Sequence, residues 1–505
     1  MAGLKSLAKD TALYGLSSII GRLLNWLLVP LYVVKTNTNE YGQVTQIYAW
    51  VGFLLVLLTY GLETGFFRFA NKQEDSDPLL VYSTCLTSLW TSTLAFAALI
   101  FIFMNPISEW LGYADNHIYI SIMTIVLCLD VVCSLPFAFL RFQKRPLKFA
   151  SLKLLYVGLN IALNLFFLVL CPKIYNEQTQ GILSYVYSPE TSPVFYILLS
   201  NLLSTSIQTL FLAKELFFIK YKFDFSLLKS ILIYSLPLLI LGIAGVINQT
   251  GAQILFEIVY DDPDTAMQQL GIYGANYKFA VIMIMFIQAF RFAYEPFVFG
   301  KYRDKDNKTA YIQAMKYFII FGLFIFLGVG LLIPFLPNIP YVANHAQISG
   351  YMVGLAVVPI IMMAEFFFGI FFNLSFWYKL TDKTYWGAIF SLGGSFLTIL
   401  LNVLLVPGIG YMACAWIAFS TYFLMMISSY FVGKKYYPID YEIKNAAFYT
   451  FIALLFYFVG IYLPIENIFI KLGFRIILIL LYVGIVLKKD LPLKDIPVIN
   501  RFIKN

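Results

Sequence analysis

Charged residues are scarce in this chain. Asp, Glu, Lys and Arg together make up 12% of the 505 residues, whereas 60% are hydrophobic and 49 are phenylalanine. Typical soluble domains carry about 25% charged residues, so a water-soluble protein is excluded. The mean hydropathy of +0.79 instead indicates a polytopic membrane protein.

The signatures of metal, disulfide and enzyme chemistry are lacking too. The five cysteines lie in or at the ends of apolar runs and show no CxxC or His/Cys ligand spacing, so neither a disulfide framework nor a metal site is indicated. The sequence has no P-loop, no G-x-G-x-x-G after a strand and no acid–base or nucleophile constellation. We therefore expect neither an enzyme nor a cofactor.

What the chain has in abundance is apolar runs of about 20 residues, long enough to cross a hydrocarbon core of about 30 Å. The first run is too long for a signal-peptide h-region and has no small-residue cleavage site behind it, so we expect it to be retained. An even number of runs predicts that both termini lie on one side of the membrane. The fourteen predicted helical spans are 11–34, 43–69, 81–105, 117–140, 150–171, 193–218, 229–257, 272–300, 311–334, 348–376, 385–406, 409–433, 446–463 and 468–487.

Lysine and arginine are distributed unevenly between the two sides of this map. Of 35 such residues, 28 lie in or beside the termini and alternate loops on one side, and three lie on the other. Because basic residues collect in cytoplasmic loops, both termini are predicted to be cytoplasmic. The formal net charge of +8 follows from this distribution, and no nucleic-acid partner is needed to explain it.

A repeat relates the two halves of the chain. An offset of 232 residues aligns 40–70 with 272–302, where two Tyr-Gly pairs coincide and Glu63 meets Glu295. An offset of 238 aligns 140–170 with 378–408. In the second block Arg141 meets Lys379, Arg145 meets Lys383 and Asn164 meets Asn402. Spans 1–6 and 7–12 are therefore predicted to be two copies of one unit.

The copies have the same orientation because each contains an even number of spans, so the axis that relates them runs along the membrane normal. The sequence thus predicts an all-α polytopic membrane protein with two pseudo-symmetric six-helix lobes facing a central cavity. Spans 13 and 14 are an addition outside the repeat. The predicted boundaries are 1–222 for the N-terminal lobe, 223–435 for the C-terminal lobe, and 436–505 for the last two helices and a cytoplasmic tail.

Polar residues at helical spacing predict which faces line the cavity, since such faces cannot point at lipid. On span 1 the stripe includes Ser18, Arg22 and Asn25. The other stripes are Gly242, Gly245, Gln249 and Gln253 on span 7, Gln288, Arg291 and Glu295 on span 8, and Asn201, Ser204 and Gln208 on span 6.

Charges in the membrane interior need a wet cavity or a partner, since each costs about 2.5 to 3.5 kcal/mol at the bilayer centre. Arg22, Asp130, Arg291 and Glu365 are in this position. One alternative is that Arg291 and Glu295, four residues apart on one helix, neutralise each other. For Glu63 and the nearby Arg68, an interfacial role with snorkelling side chains is the alternative to a function in gating.

The chain resembles a known family over essentially its whole length. The similarity lies in KDTALYGLSSIIGRLLNWLLVPLY (9–32), EYG (40–42), GIGYMACAWIAFSTYFL (408–424) and the arrangement of two lobes with two trailing helices. These features resemble the lipid-linked polysaccharide flippases, the Wzx-type branch of the multidrug/oligosaccharidyl-lipid/polysaccharide exporter superfamily. Fourteen spans favour the oligosaccharide and peptidoglycan-precursor branches, because the multidrug and toxin extruders typically have twelve.

The resemblance implies a transporter in the bacterial inner membrane. By alternating access it would move an undecaprenyl-pyrophosphate-linked oligosaccharide from the cytoplasmic to the periplasmic leaflet. Arginines on the first and eighth helices, here Arg22 and Arg291, would hold the diphosphate. Guanidinium groups suit this role because they bind phosphate oxygens in bidentate fashion and keep their proton. Lys278 is expected either to receive the diphosphate later or to serve as an interfacial anchor.

Four carboxylates are candidates for ion coupling or gating: Glu63, Glu295, Asp130 and Glu365. A carboxylate buried in a membrane helix can bind a proton or, together with carbonyls, Na⁺. Besides the lipid-linked substrate, the coupling ion and membrane lipid, glycan polymerase or ligase machinery is a possible partner.

Three other functions stay open. A peptidoglycan-precursor (lipid II) flippase is disfavoured because the second-helix arginine of those relatives has no mid-span match; Arg68 lies near the cytoplasmic end. A cation-coupled multidrug antiporter of the same superfamily would tolerate loss of Arg22. A non-transporting membrane scaffold would tolerate loss of every intramembrane charge.

Overall fold

The protein is a multi-pass, all-helical membrane protein. The computed structural model describes residues 20–21, 23–71, 77–176, 186–219, 221–301, 307–338 and 346–490, and the regular structure in these ranges is helical. Thirteen helices in them are long and apolar enough to cross a membrane. The first predicted span falls largely outside the described residues, and its described part belongs to a shorter apolar helix, Leu23–Lys35.

We number the membrane helices in chain order so that the numbers match the predicted spans. Short helical segments, given below by their residues, precede or follow several of them. The helices are α1 Leu28–Lys35, α2 Thr38–Thr59, α3 Pro78–Ile102, α4 His117–Phe142, α5 Pro146–Leu165, α6 Pro193–Phe211, α7 Phe225–Val259, α8 Pro263–Lys301, α9 Asn307–Leu332, α10 Val357–Leu374, α11 Tyr385–Ile409, α12 Tyr411–Tyr436, α13 Ile443–Tyr462 and α14 Ile468–Lys489.

The chain divides into two compact units. Unit 1 consists of 1–274 with 398–408, and unit 2 consists of 275–397 with 409–505. Unit 1 therefore includes α7 and the beginning of α8 together with the six helices of the predicted N-terminal lobe. The lobe boundaries at 222 and 435 stay predictions.

The core of unit 1 is built around α4. This helix is apolar on nearly all sides, as its LCLDVVCSLPFAFL stretch shows, and a helix of this kind is buried within a protein. Leu127, Val131, Leu135 and Leu140 are at most 1% exposed and pack in one apolar cluster with residues of α3 and the short helix Leu62–Ala70. The position of α4 at the centre of unit 1 follows from this composition.

Helix α2 breaks where the sequence reads TYGLETG. After Thr59 the chain passes through two residues in the left-handed region, Tyr60 (φ 31°) and Gly61 (φ 72°), before the short helix Leu62–Ala70 begins. Glycine suits this conformation because it has no Cβ. A Cβ on Gly61 would also lie 3.1 Å from the main-chain oxygen of Ser235 in α7. Glu63 thus lies in the first turn of a separate helix, a break that hydropathy did not reveal.

The repeated Tyr-Gly pair marks a place where α2 and the beginning of α8 touch through their main chains. A Cβ on Gly42 would lie 1.9 Å from the main-chain oxygen of Met267, and a Cβ on Gly271 would lie 1.7 Å from that of Thr38. A Cβ on Gly274, the repeat partner of Gly42, would lie 2.3 Å from the hydroxyl of Thr45. Small residues permit such close helix contacts in membranes. The motif therefore serves packing within unit 1.

The two asparagines aligned by the repeat have the same local role. Asn164 in α5 and Asn402 in α11 are both fully buried. Each donates a hydrogen bond from its side-chain nitrogen to a main-chain oxygen four residues earlier, at 2.7 Å in both cases: Asn164 to Asn160 and Asn402 to Thr398. The two positions that the repeat aligns thus share a local side-chain arrangement.

In unit 2, hydrogen bonds attach the last helix firmly to its neighbours. Arg475 of α14 is 3% exposed and donates to the main-chain oxygens of Gly460 and Leu331, each at 2.8 Å. These carbonyls lie in the last turns of α13 and α9, where helix dipoles favour a cation. Two turns further on, Tyr482 donates to the main-chain oxygen of Ile320 at 3.0 Å.

A cluster of charged and polar side chains lies at the other end of α14. Asp490, just beyond the helix, forms an ion pair with Lys316 of α9 and accepts a hydrogen bond from Tyr449 of α13. Burial by itself would raise the pKa of Asp490, but the hydrogen bonds from Lys316 and Tyr449 outweigh it and lower this pKa below its usual value. Contacts near both ends of α14 therefore hold α13 and α14 against α9.

The glycine contact between α2 and α8 yields a test. We expect Gly42→Ala to lower the midpoint of thermal unfolding, since overpacking costs about 1 to 3 kcal/mol. Gly52→Ala is the matched control, because it lies on the same helix with no atom within 4 Å of its added Cβ. The control should be neutral or stabilising, as alanine favours helix. Equal midpoints for the two variants in detergent would contradict the close approach.

Candidate functional site

Three of the predicted site positions lie outside what the structure describes. These are Arg22 and Ser18 on the first span and the side chain of Glu295 on α8. Their predicted roles in binding the diphosphate, lining the cavity and coupling to an ion stay predictions. Asn25, on the same stripe as Arg22, is half-buried, and its side-chain oxygen accepts no hydrogen bond from any described residue.

Arg291 on α8 is exposed, and its guanidinium carbon lies 4.0 Å from the ring centre of Phe372 on α10. This distance is within the range of a cation–π interaction. Gln288, three residues earlier, is half-buried and lies on the same side of the helix. Both residues belong to unit 2.

Lys278 is half-buried on α8, but it does not share the Arg291 face. The two residues are 13 positions apart, which on an ideal helix is about 20 Å along the axis and about 140° around it. A phosphate group bound by Arg291 is therefore out of reach of Lys278 without movement. If both bind the diphosphate, they bind it at different stages.

The predicted stripe on α7 serves different purposes along its length. Gln249 is exposed and Gln253 is 8% exposed. Gly242 packs against α2, because a Cβ there would lie 2.8 Å from Cγ1 of Val56. Gly242 is thus a helix contact within unit 1, whereas a Cβ on Gly245 would have no atom within 4 Å. The glutamines remain as candidates for a polar lining.

The predicted stripe on α6 is buried and hydrogen-bonded inside unit 1. Asn201 is 5% exposed; its oxygen accepts from the Tyr156 hydroxyl at 3.0 Å, and its nitrogen donates to the Tyr48 hydroxyl at 2.9 Å. These contacts join α6 to α5 and α2. Ser204 and Gln208 donate to main-chain oxygens. Sequence spacing found Asn201, whereas its tyrosine partners, on helices far apart in the chain, were missed.

Asp130 on α4 lies beside this network. It interacts electrostatically with Lys153 of α5 and with the hydroxyls of Tyr48 and Tyr156. The Lys153 ammonium also lies 4.0 Å from the ring centre of Phe137. The count of basic residues in cytoplasmic segments included Lys153 with the loop between spans 4 and 5. In the structure Lys153 lies two turns inside α5. All four side chains are half-buried, and a carboxylate, an ammonium and two hydroxyls near one another can hold a proton.

In unit 2, Glu365 is a buried carboxylate on the helix that corresponds to α4. It is 5% exposed and accepts a hydrogen bond from the Tyr277 hydroxyl of α8 at 3.3 Å. The preceding residue, Asn276, donates to the main-chain oxygen of Tyr351 at 2.8 Å. Asp130 and Glu365, on corresponding helices of the two predicted copies, thus each lie next to a tyrosine.

Glu63 forms an ion pair with Arg141 at the end of α4. The side chains of Glu63 and Arg141 are 44% and 34% exposed, and the guanidinium also lies 5.2 Å from the ring centre of Phe67. Arg68 instead stacks on Tyr234 of α7 at 4.0 Å. The partner of Glu63 is therefore a distant residue, and Arg68, the neighbour considered from the sequence, has a different contact.

Sequence reasoning missed a polar cluster that joins α2, α7 and the loop after α3. Gln46, 1% exposed, donates to Glu257 and accepts from the Tyr113 hydroxyl at 2.7 Å. Burial raises the pKa of Tyr113 well above its usual value, so its hydroxyl stays a donor. The available signal was an acidic residue, Glu257, at the last position of an apolar run.

Comparison with known proteins gives one family match. Residues 7–294 match the model of a family described as "Polysaccharide biosynthesis protein". This match covers more than half of the chain. No curated protein matches the sequence.

Solved structures show the same fold. A lipid II flippase, MurJ, in an inward closed conformation has a TM-score of 0.68 at 14% identity, covering 94% of this chain and 99% of that one. An inward-facing multidrug resistance MATE family transporter of the MOP superfamily has a TM-score of 0.59 at 16% identity, covering 84% and 94%. A MATE structure in a bent conformation gives 0.54 at 15%, covering 88% and 99%. At these identities the similarity concerns the fold alone.

The ion pair of Glu63 and Arg141 can be tested with a double-mutant cycle of Glu63→Gln and Arg141→Gln. Because both side chains are partly exposed, we expect a coupling of about 0.2 to 1 kcal/mol that decreases as salt is added. Thermal unfolding in detergent measures it. The pair Lys148–Glu215, whose carboxylate is 5% exposed, is the comparison and should couple more strongly. No coupling in the Glu63 cycle at low salt would contradict the pair.

Proposed function

Because the chain belongs to the polysaccharide biosynthesis protein family, we propose that it is a flippase for an undecaprenyl-pyrophosphate-linked oligosaccharide. It moves this lipid from the cytoplasmic to the periplasmic leaflet by alternating access, for synthesis of a cell-surface polysaccharide such as O-antigen. The observation that carries the proposal is the family match together with a fold similar to that of a lipid II flippase. The proposed location is the bacterial inner membrane, with both termini cytoplasmic.

Arginine on the membrane helices supports an anionic substrate. Arg291 is exposed on a membrane-spanning helix, a position at which a charge needs water, a ligand or a partner beside it. A diphosphate brings about two negative charges, and a guanidinium binds its oxygens with two parallel hydrogen bonds. We assign this role to Arg291 and, as the counterpart on the first helix, Arg22.

Lys278 suits a later stage of the same path. It lies on α8 about 20 Å nearer the proposed periplasmic end than Arg291, counted at 1.5 Å per residue. The diphosphate would therefore meet Arg291 first and Lys278 after the cavity has opened outward. Gln249, Gln253 and Gln288 are assigned to hydroxyl groups of the sugars, since amides donate and accept hydrogen bonds.

Asp130 and Glu365 are the proposed sites of ion coupling. Both carboxylates lie within membrane helices. Asp130 interacts with Tyr48 and Tyr156. Glu365 accepts a hydrogen bond from Tyr277. Uptake of a proton or Na⁺ would change the charge at such a site, and a buried charge change alters the packing around it. Glu63 and, by the repeat, Glu295 are assigned to gating, because Glu63 already has a cation as partner.

The test of substrate binding is translocation of a fluorescent undecaprenyl-pyrophosphate sugar in proteoliposomes. We expect Arg22→Ala and Arg291→Ala each to reduce translocation by at least about tenfold, since a lost charge-assisted hydrogen bond costs about 1.5 to 3 kcal/mol. Arg145→Ala, which removes an exposed arginine outside the membrane helices, is the matched control and should retain full activity.

The same assay separates the alternatives. Lipid II moved in preference to other lipid-linked sugars would favour the peptidoglycan-precursor flippase. A small cation expelled equally well by the control and both arginine variants, with no lipid moved, would replace the flippase with an antiporter. If no lipid and no cation moves, the protein is a scaffold and the proposal is wrong.

Ion coupling is tested by imposing a pH or Na⁺ gradient on these proteoliposomes. We expect a gradient to accelerate translocation by the wild type, and Asp130→Asn and Glu365→Gln to remove that acceleration while slow, gradient-independent movement continues. Gln substitution of Glu190, an exposed carboxylate outside the membrane helices, should leave the acceleration unchanged. Full acceleration in both Asp130→Asn and Glu365→Gln would refute this assignment.

A further inference from the structure

Unit 2 contains a groove of about 610 Å³ between two pairs of helices, α10 with α12 and α9 with α13. None of the predicted substrate or coupling residues lines it. Its wall is almost entirely apolar and includes Phe366, Ile370, Phe423, Met426, Phe451 and Leu454. A groove of this size is within the range of ligand sites.

The depth of the groove corresponds to one leaflet of a membrane. Its lining on α13 runs from Ile443 to Leu454, which is about 16 Å at 1.5 Å per residue. Half of a hydrocarbon core is about 15 Å. Charged residues lie at one end only, where Lys316 and Glu442 line the mouth together with Asn445. The groove thus has the polarity of a lipid molecule, with a polar end at the membrane surface and an apolar end near the middle.

The mouth carries charges of both signs. Lys316 lies 3.3 Å from Glu442 and pairs with Asp490, while Lys489 donates to Asn445 at 2.9 Å. Seven lysines and three carboxylates lie on the described ends of α9, α12, α13 and α14 and in the segment between α12 and α13. The lysines are Lys308, Lys316, Lys434, Lys435, Lys444, Lys488 and Lys489, and the carboxylates are Asp440, Glu442 and Asp490.

We propose that this groove binds one acyl chain of an anionic membrane phospholipid, whose phosphate is held at the lysine-rich mouth. Hydrocarbon fits because the walls offer nothing to water or to a peptide backbone, whose polar groups must be satisfied in a membrane. Lysines near a membrane surface attract anionic lipids. The bound chain fills the space between α13 and the pair α10 and α12. This site is independent of the transported substrate.

The test uses the full-length protein in nanodiscs of phosphatidylcholine that contain a small fraction of phosphatidylglycerol with a photoactivatable diazirine on its acyl chain. After irradiation, mass spectrometry should locate adducts on the groove-lining residues of α10, α12 and α13. Thr450→Trp fills the groove from α13 and should remove these adducts. Leu455→Trp, on the same helix but exposed outside the groove, should leave them in place.

The headgroup preference is tested with an exposed lysine, so that folding is not at risk. We expect Lys444→Gln to reduce the preference for phosphatidylglycerol over an equally labelled phosphatidylcholine by about fivefold, which corresponds to about 1 kcal/mol per lysine. Lys214→Gln, an exposed lysine of the short helix Ala213–Phe217 in unit 1, is the control. Adducts spread evenly over all membrane helices, adducts that survive Thr450→Trp, or equal labelling by the two lipids would each overturn the proposal.

Discussion

α2 and the beginning of α8 meet main chain to main chain at Gly42 and Gly271, and this contact determines the course of α2. One turn after Gly42, the side chain of Gln46 is brought to Glu257 on α7. Further along, Val56 faces Gly242 of α7. Because α2 is held so closely on this side, little room remains for water, and polar groups between the helices must find partners within unit 1. The buried amide, carboxylate and hydroxyl cluster at Gln46 is the result.

The same requirement explains how charged side chains are accommodated in the membrane helices. Removing a charge from water costs several kcal/mol unless a partner compensates for it. The structure uses three kinds of partner. Arg141 has a carboxylate, Arg475 has carbonyls at two helix ends, and Lys153 has both a carboxylate and an aromatic ring. Charged residues compensated in this way maintain the fold. Because their charges already have partners, we do not count these three residues among the candidates for substrate binding.

Hydropathy predicted the large features correctly because these depend on the membrane and on helix geometry, which act on every residue alike. The helical fold of the described residues and their thirteen membrane spans are of this kind. The predicted repeat aligned Asn164 with Asn402, and these two side chains make the same local hydrogen bond. The break at Tyr60 and Gly61 escaped prediction, since the apolar pattern continues across it. Contacts such as Tyr48 with Asn201, 153 residues apart, depend on how helices pack, and one sequence does not contain that information. For Ser18, Arg22 and Glu295 the prediction stands on the sequence alone.

Two arginines show how packing surrounds the same side chain in different ways. Arg141 directly follows the predicted fourth span, whereas Arg291 lies inside the eighth. In the structure Arg141 pairs with Glu63 and lies 5.2 Å from the ring centre of Phe67, and Arg291 lies 4.0 Å from the ring centre of Phe372. A ring contacts the flat face of a guanidinium, while the N–H groups point outward in its plane. Stacking thereby fixes the plane of a guanidinium, and its N–H groups remain directed at acceptors that lie in that plane.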